Sequence, residues 1–328
     1  MDRFEDKLAV VTGGGTGIGR ALVCQLIKAG ARVAMCDVYA EQMAETAELA
    51  TPLGPGRLSS HICDVSSEVQ MNRFRDAVLK EHNSDHINLL INNAGIAGGG
   101  SFIEDPREEW ERTFSVCWYG VYFGCRAFMP ALLESDEGHI VNTSSVNGFW
   151  ASLGQGVPHT SYSAAKFAVK GFTEALVTEL RLLAPHVQCS VVMPGHVGTS
   201  ILLNSFRAHG QSEPKELSAH EIAGIREDFA KRGLPVDNIP DDHIREMLQQ
   251  QAETFRDEAP TTSDEAAEII LDGVRENRWR ILVGRDAVDL DRIVREAPEE
   301  AYETSLAEKM MALGHFQAVP SVVESQDP

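Results

Sequence analysis

The sequence predicts an α/β protein built on a doubly wound parallel sheet of about seven strands. Short, continuously apolar runs recur through the first 200 residues, and a segment with helical periodicity follows each one. Strands that are apolar throughout, without alternation, are typical of a parallel sheet covered by helices on both faces. Right-handed crossovers between such strands then give the doubly wound arrangement.

The predicted elements alternate along the chain. Strands are expected over residues 7–11, 32–37, 87–92, 139–142, 187–193 and 279–284, and a further strand is expected to end near residue 63. Helices are expected over 18–29, 41–50, 66–82, from about 106 to 133, around 162–166, over 218–231 and 241–257, and from 262 onward. Capping residues support three of the helix starts, because Ser66, Asp105 with Glu108, and Thr262 with Glu265 are suited to satisfy free backbone N–H groups.

The chain is expected to form one catalytic domain over residues 1–300, with a helical insertion at about 201–260. Residues 301–328 are expected to be a partly disordered C-terminal extension. The insertion follows a strand end, where ligands bind in open sheets, so it is predicted to be a lid over the substrate. The alternative is an oligomer contact through an apolar stripe formed by Ile244, Met247, Leu248 and Phe255.

Composition narrows the classes of partner. The 328 residues carry a net charge of −20, which argues against nucleic acid and anionic membrane surfaces. There is no run of 18 apolar residues, so no membrane-spanning helix is expected. The six cysteines are scattered without a CxxC pair, so neither a metal site nor a disulfide framework is indicated. These features, with a charged N-terminal stretch, favour a cytoplasmic protein.

The stretch "TGGGTGIG" at 12–19 lies between a predicted strand and a predicted helix, as a phosphate-binding turn requires. Gly13 and Gly17 would allow a tight turn, and Gly19 would let the helix pack on the strand. A pyrophosphate would then lie at the helix N-terminus, where free N–H groups favour anions. The alternative is an ordinary glycine-rich loop.

Asp37 ends the second predicted strand, 18 residues past Gly19. A carboxylate at this point can accept hydrogen bonds from both adenosine ribose hydroxyls and would repel a 2′-phosphate, so NAD is the expected cofactor. The alternative is that Asp37 caps a turn or helix.

The stretch "SYSAAK" places Tyr162 and Lys166 four residues apart, on one face of a helix. A nearby cation lowers the pKa of a tyrosine, which would make the phenol a better base at neutral pH. The alternative is an exposed pair on an amphipathic helix.

Five motifs occur in order at the predicted strand ends: TGxxxGxG at 12–19, "NNAG" at 92–95, "IVNTSS" at 140–145, YxxxK at 162–166 and "PGHVGT" at 194–199. Together they resemble the short-chain dehydrogenase/reductase family, in its branch with three residues between the first two glycines. The resemblance covers about residues 1–200 and 262–300 and implies a Rossmann-like fold.

The resemblance also implies roles for individual residues. Tyr162 resembles the catalytic acid/base, Lys166 the group that lowers its pKa and holds the nicotinamide ribose, and Ser145 the hydroxyl that positions the substrate oxygen. The positions that resemble cofactor contacts are Gly13, Thr16, Gly17, Ile18, Gly19, Asp37, Asp64, Val65, Asn93, Ala94, Gly95, Tyr162, Lys166, Pro194, Gly195, Val197 and Thr199.

Two positions depart from the family pattern. Cys117 stands where the family usually has an asparagine that supports a proton relay, so the relay is in doubt and Cys117 can equally be a small core residue. Ser145 lies 17 positions before Tyr162, a longer interval than is usual. The added residues include Phe149, Trp150, Leu153 and Val157, which are predicted to extend an apolar pocket wall.

The predicted function is hydride transfer between NAD and a secondary alcohol or its ketone. The expected substrate is a bulky, apolar small molecule such as a steroid, a terpenoid or an aromatic carbinol. The protein is expected to be a homodimer or homotetramer. One alternative is a non-catalytic NAD-binding sensor or scaffold of the same fold. Another is a dehydratase or epimerase, which usually has a longer-spaced glycine motif.

Overall fold

A computed structural model of the chain describes residues 1–98, 100–153, 157–231, 236 and 238–315. Six strands come first: β1 (Leu8–Thr12), β2 (Arg32–Asp37), β3 (Leu58–Ile62), β4 (Leu89–Asn92), β5 (Gly138–Thr143) and β6 (Val187–Pro194). Two short strands, β7 (Val197–Gly198) and β8 (Thr261–Thr262), pair with each other, and β9 (Arg280–Val283) returns to the main sheet. Within the described residues the main sheet is parallel and has seven strands, as predicted. Their order is β3-β2-β1-β4-β5-β6-β9.

The helices alternate with these strands. They are α1 (Gly17–Lys28), α2 (Ala40–Ala50), α3 (Glu68–Glu81), α4 (Arg107–Phe114), α5 (Gly120–Leu133), α6 (Thr160–Leu183), α7 (Ile201–Ala208), α8 (Ala219–Lys231), α9 (Asp241–Asp257), α10 (Ser263–Arg275), α11 (Arg285–Glu296) and α12 (Thr304–Ala312). The capping box predicted for α10 is present, because Thr262 and Glu265 exchange hydrogen bonds.

The core lies in two layers, one on each face of the sheet. Successive strand residues point to opposite faces, and in β1 the side chain of Val10 packs in the layer that holds Phe128 of α5. Val11 packs in the other layer, with Leu26 of α1 and Ile270 of α10. Helices therefore cover both faces of the sheet, which confirms the doubly wound fold.

Two of the predicted helix caps were wrong. The side chain of Ser67, rather than that of Ser66, accepts the capping hydrogen bond of α3, because Ser66 donates its hydroxyl to Asp64 instead. The Asp105 carboxylate turns back to accept from the N–H of Ser101 at 2.8 Å, and the helix begins after Pro106 without a side-chain cap.

The long helix predicted to end near residue 133 is interrupted. A π-helical turn, Ser115–Tyr119, joins α4 to α5. By length and composition alone, residues Arg107–Leu133 could cross a membrane. In this fold they belong to the core, because 56% of their most apolar 18-residue stretch is buried. Helix α5 packs against β4 and β5.

The insertion and the C-terminal segment are packed against the domain. In the insertion, Ile244 is fully buried with Leu217 and Ile222, so this part of the apolar stripe faces its own chain rather than another copy. In the extension, α12 buries Leu306 and Met310 against α11. Residues 316–328 lie outside the described part.

Candidate active site

An open cleft lies at the carboxyl ends of the strands, where ligands bind in open α/β sheets. The predicted site residues that line it are Gly13, Thr16, Gly17, Ile18, Asp37, Asp64, Val65, Asn93, Ala94, Gly95, Ser145, Tyr162, Lys166, Pro194, Gly195, Val197 and Thr199. Two other predicted residues, Gly19 and Cys117, lie behind this lining.

The glycine motif forms a tight turn that residues with a Cβ atom could not adopt without strain or clashes. Gly13 and Gly17 have φ values of +67° and +53°, in the left-handed region that glycine tolerates. A Cβ at Gly19 would lie 1.9 Å from the carbonyl oxygen of Gly13. Thr16, the N-cap residue of α1, makes no capping hydrogen bond with its side chain in the described structure. The N–H groups at the start of α1 are therefore suited to an anion.

Thr12, at the head of this motif, joins the turn to the loop after β4. Its hydroxyl oxygen accepts hydrogen bonds from the backbone N–H groups of Asn93 at 3.0 Å and Ala94 at 3.1 Å. The Asn93 amide donates in turn to the carbonyl of Thr12. Thr12 was not among the residues predicted from the sequence, although its place in the motif was the available signal.

The Asp37 carboxylate lines the cleft and also supports the turn. It accepts from the N–H of Gly15 at 3.1 Å and from the N–H of Val38 at 2.7 Å. Burial raises the pKa of Asp37, and the backbone hydrogen bonds offset part of that rise.

The Asp64 side chain is held by two neighbours. Ser66 donates to one of its oxygens, and Arg112 of α4 donates to the other at 2.9 Å. Burial would raise the pKa of Asp64, but these hydrogen bonds lower it below its ordinary value. Arg112 also lines the cleft. Arg112 was missed from the sequence, because it reaches the cleft only through the tertiary placement of α4, which packs against α6.

The three predicted catalytic residues meet in the cleft. Ser145 follows β5, whereas Tyr162 and Lys166 lie one turn apart on α6. The Lys166 ammonium lies 5.3 Å from the centre of the Tyr162 ring and donates to the carbonyl of Thr143 at 2.9 Å. The Ser145 hydroxyl oxygen accepts from the N–H of Asn147 at 3.1 Å.

The pKa of Tyr162 differs from the sequence prediction, which expected it to be lowered. Burial raises the pKa of the phenol, Lys166 lowers it, the Cys117 thiol raises it and the Ser145 hydroxyl lowers it. Lys166 thus acts in the predicted direction, but the net pKa of Tyr162 in the protein alone lies above its ordinary value. Further positive charge in the cleft would be needed to favour the phenolate.

Cys117 lies inside the π-helical turn and is fully buried. Its thiol donates to the backbone carbonyl of Ile96 at 3.3 Å, which links the turn to the loop after β4. π-turns within helices are frequent at functional sites. Here the π-helical turn packs against α6, which carries Tyr162. The cysteine fills a core position.

The loop "PGHVGT" is held by residues from distant parts of the chain. Asp286 of α11 accepts from the N–H of His196 at 2.6 Å. The His196 ring packs on Phe255 of α9, with ring centres 4.3 Å apart, and its Nε2 lies 2.8 Å from the Phe255 carbonyl. Phe255 lines the cleft. No signal in the sequence pointed to Asp286.

Helix α7 lines one side of the cleft and contacts the start of α1 and helix α2. The Asn204 amide donates to the Thr16 hydroxyl at 3.0 Å and accepts from Gln42 at 3.1 Å. The Arg207 guanidinium lies 4.2 Å from the centre of the Tyr39 ring. It also pairs with a Glu41 oxygen at 2.8 Å.

The prediction that residues 149–157 extend an apolar wall of the pocket was wrong. Trp150 is only 5% exposed, but it is buried against the C-terminal segment rather than in the cleft, and Phe149 packs beside it. Leu153 and Val157 are exposed. The apolar side chains that do line the cleft beyond the predicted set include Ile96, Val116, Ile201, Ala208 and Phe255.

Comparison with known proteins gives consistent matches. A family model described as "short chain dehydrogenase" matches residues 7–209. The chain is 34% identical over 295 residues to the SadH protein of Mycobacterium tuberculosis, covering 90% of this chain and 92% of that protein. It is 34% identical to human epidermal retinol dehydrogenase 2 over 173 residues, which is 53% of this chain and 54% of that protein.

Solved structures agree on the fold. A short-chain dehydrogenase/reductase from Burkholderia phymatum in complex with NAD superimposes with a TM-score of 0.72 at 27% identity, covering 91% of this chain and 96% of that one. A metagenomic short-chain oxidoreductase in complex with NADP superimposes with a TM-score of 0.52 at 26% identity, covering 76% and 91%.

Proposed function

The chain belongs to the short-chain dehydrogenase family, and from this premise we propose that it is an NAD-dependent oxidoreductase that interconverts a secondary alcohol and its ketone. Membership itself indicates an oxidoreductase with a nicotinamide cofactor and a small-molecule substrate. The observation that carries the proposal further is the convergence of Ser145, Tyr162 and Lys166 beside the glycine turn in one cleft.

The residues present fit a dinucleotide. The turn at Gly13 and Gly17 and the start of α1 suit the pyrophosphate. A Cβ at Gly13 would crowd Ala94, and a Cβ at Gly17 would crowd Thr199. The Thr16 side chain does not cap the first N–H groups of α1, which are suited to donate to an anion. Asp37 suits the adenosine ribose and Lys166 the nicotinamide ribose. The chemistry that a bound nicotinamide supplies is acceptance of a hydride from the alcohol carbon.

The protein's own residues manage the proton. Tyr162 takes the proton of the alcohol oxygen as the carbon–hydrogen bond is broken, and the oxygen becomes that of the ketone. Lys166 favours the phenolate by its charge, and Ser145 donates a hydrogen bond to the substrate oxygen. In the reverse direction Tyr162 returns the proton.

NAD rather than NADP is proposed because the acidic Asp37 lies in the cleft at the end of β2. Arg20, the basic residue directly after the glycine motif, is engaged elsewhere: its guanidinium donates to the Gly15 carbonyl at 2.7 Å and to Glu45 at 2.6 Å. It is therefore not available to offset the repulsion of a 2′-phosphate.

A bulky, apolar substrate is proposed because Ile96, Ile201, Ala208 and Phe255 add apolar surface to the cleft. Similarity to a retinol dehydrogenase also supports a bulky, apolar substrate. Steroid-like, terpenoid and aromatic alcohols all belong to this class. A cytoplasmic location and a homo-oligomeric state remain predictions from the sequence.

The test is whether the purified protein reduces NAD with any of a panel of apolar secondary alcohols. The reaction is monitored through the absorbance of NADH. Tyr162→Phe is the matched control, because it removes only the hydroxyl. Turnover by the natural protein and its loss in the variant are expected. Tight NAD binding with no turnover of any alcohol or ketone would instead favour the sensor alternative.

A further inference from the structure

The turn that follows Ser145 is connected to the C-terminal segment by a chain of hydrogen bonds. The buried Asn147 side chain donates to the carbonyls of Trp150 at 3.0 Å and Ser152 at 2.6 Å. The indole N–H of Trp150 donates to the carbonyl of Ala301 at 2.6 Å. Ser145 is thereby linked, through the 3₁₀ turn Val146–Gly148 that it caps, to a point more than 150 residues further along the chain.

An apolar cluster reinforces this connection. The C-terminal cluster consists of the buried residues Trp150, Leu290, Ile293, Ala301, Leu306 and Met310. Val146, the first residue of the 3₁₀ turn, and Phe149, the residue directly after it, pack against this cluster. The hydroxyl of Tyr302 accepts from the N–H of Ala151 at 3.2 Å. The longer interval between Ser145 and Tyr162 therefore builds an anchor rather than a pocket wall.

The orientation of this turn determines what the Ser145 hydroxyl can do. A serine hydroxyl has one proton and two lone pairs. The N–H of Asn147 donates to the oxygen at 3.1 Å, which directs one lone pair away from the substrate side. The hydroxyl proton is directed at the Asn147 side-chain oxygen over a long 3.5 Å. A substrate oxygen can replace this weak partner, and a small rotation of the turn would redirect the hydroxyl.

We propose that Asn147 and Trp150 are positioning residues for Ser145, and that the C-terminal cluster is part of the architecture that orients its hydroxyl. This role rests on the proposed function, in which Ser145 donates to the substrate oxygen. It assigns a task to residues 290–310, which lie beyond the 7–209 span of the family match.

The titration of Tyr162 reports on this arrangement. The groups that face its ring are Lys166, the Cys117 thiol, the Ser145 hydroxyl and His159, whose ring centre lies 4.8 Å away. Burial lowers the pKa of His159 to about 4, so that ring is neutral near pH 7. Because the Ser145 hydroxyl lowers the pKa of Tyr162, a displaced hydroxyl should let that pKa rise.

The test uses Trp150→Phe, which keeps an aromatic ring in the cluster but removes the indole N–H. We expect kcat to fall roughly ten- to a hundredfold, as for a small misplacement of a catalytic group, with NAD affinity unchanged. Trp279→Phe is the matched control, since Trp279 is partly exposed and outside the cleft. In a Ser145→Ala background, Trp150→Phe should lower kcat little further. An equal loss in both backgrounds would mean a structural role and would overturn the proposal.

A second measurement does not depend on turnover. The chain has five tyrosines, and ¹³Cζ-labelled tyrosine would report their titrations by NMR, with Tyr162→Phe identifying the signal. We expect the pKa of Tyr162 to be higher in Trp150→Phe and in Asn147→Ala, and unchanged in Trp279→Phe. An unchanged titration in a folded Trp150→Phe protein would overturn the proposal, whereas absence of turnover in the natural protein would contradict only the proposed reaction.

Discussion

The carboxylate of Asp37 accepts a hydrogen bond from the backbone N–H of Gly15, 3.1 Å away, so one side chain both borders the cofactor cleft and braces the glycine turn. A Cβ at Gly15 would come within 2.9 Å of the same carboxylate oxygen. The proposed preference for NAD and the shape of the turn therefore depend on the same side chain. Changes at Asp37 should affect both.

The natural protein is expected to prefer NAD over NADP by about a hundredfold or more in kcat/KM. A hydrogen bond to a charged group contributes roughly 1.5–3 kcal/mol, and about 1.4 kcal/mol corresponds to a factor of ten. Replacing Asp37 with Ser and Val38 with Arg should shift the preference toward NADP, measured with both cofactors on one substrate. Asp37→Asn is the control that keeps the shape but removes the charge. Equal use of both cofactors by the natural protein would show that Asp37 does not face the ribose.

Tyr162→Phe should reduce turnover by roughly 10²–10⁴-fold, the usual contribution of general acid–base catalysis. Binding of NAD, measured by calorimetry, should stay near that of the natural protein, because only the hydroxyl is removed. Lys166→Ala should weaken both NAD binding and turnover. Activity of Tyr162→Phe within threefold of the natural level would rule out the mechanism.

Cys117→Asn should be tolerated and is expected to keep or raise activity, since an amide can donate to the Ile96 carbonyl as the thiol does. Cys117→Ala should cost little, since it leaves the backbone of the π-turn unchanged. Steady-state kinetics with thermal unfolding as a check on folding would measure both. If alanine removes activity as fully as Tyr162→Phe does, the thiol itself takes part in the reaction.

The insertion at 201–260 should be more resistant to proteolysis with NAD and substrate than without them. Its first helix, α7, is tied to the nucleotide-binding elements through Asn204 and Arg207. Arg207→Ala should therefore weaken the protection that NAD alone gives, whereas Arg245→Ala, on α9, is a control with its own local ion pair. A segment equally resistant with and without ligands would contradict a lid.

The protein should lose stability as the pH falls from about 6.5 toward 4. Burial lowers the pKa of His82 to about 4, and the nearby Arg57 and Arg32 add to the effect. The unfolded chain, with an ordinary histidine pKa near ~6.5, then binds more protons than the folded one in this range, so stability rises with pH there. Urea unfolding across this range should show a smaller slope for His82→Gln. The same slope in both proteins would show that His82 does not contribute.

Much of the fold could be predicted because its signals are local. Strand β2 was predicted over 32–37 and lies at Arg32–Asp37, since a continuous apolar run there ends at a charged residue. One error arose where two neighbouring residues could both cap a helix, since Ser67 rather than Ser66 caps α3. Asp105 was misassigned because its carboxylate found a partner in the preceding loop. Helices α11 and α12 were not predicted at all.

The site was predictable to the extent that its residues lie in contiguous motifs. The glycine turn and the pair Tyr162 and Lys166 are read from a few adjacent letters, and the cleft contains them. Arg112, Asn204 and Asp286 could not be identified in that way, because each reaches the site from a helix whose place depends on tertiary packing. Trp150 was assigned to the wrong surface for the same reason.

The order of strands in the sheet has a consequence for synthesis of the chain. Val192 of β6 pairs with Ile281 of β9, so the two partners are separated by the whole insertion and α10. Until the ribosome has released residues 280–283, β6 is an edge strand with unpaired backbone N–H and C=O groups along one side. Such an edge can pair with other chains, and a contact of this sequence separation forms late. Nascent chains that stall between the two strands should therefore be the species most prone to aggregate.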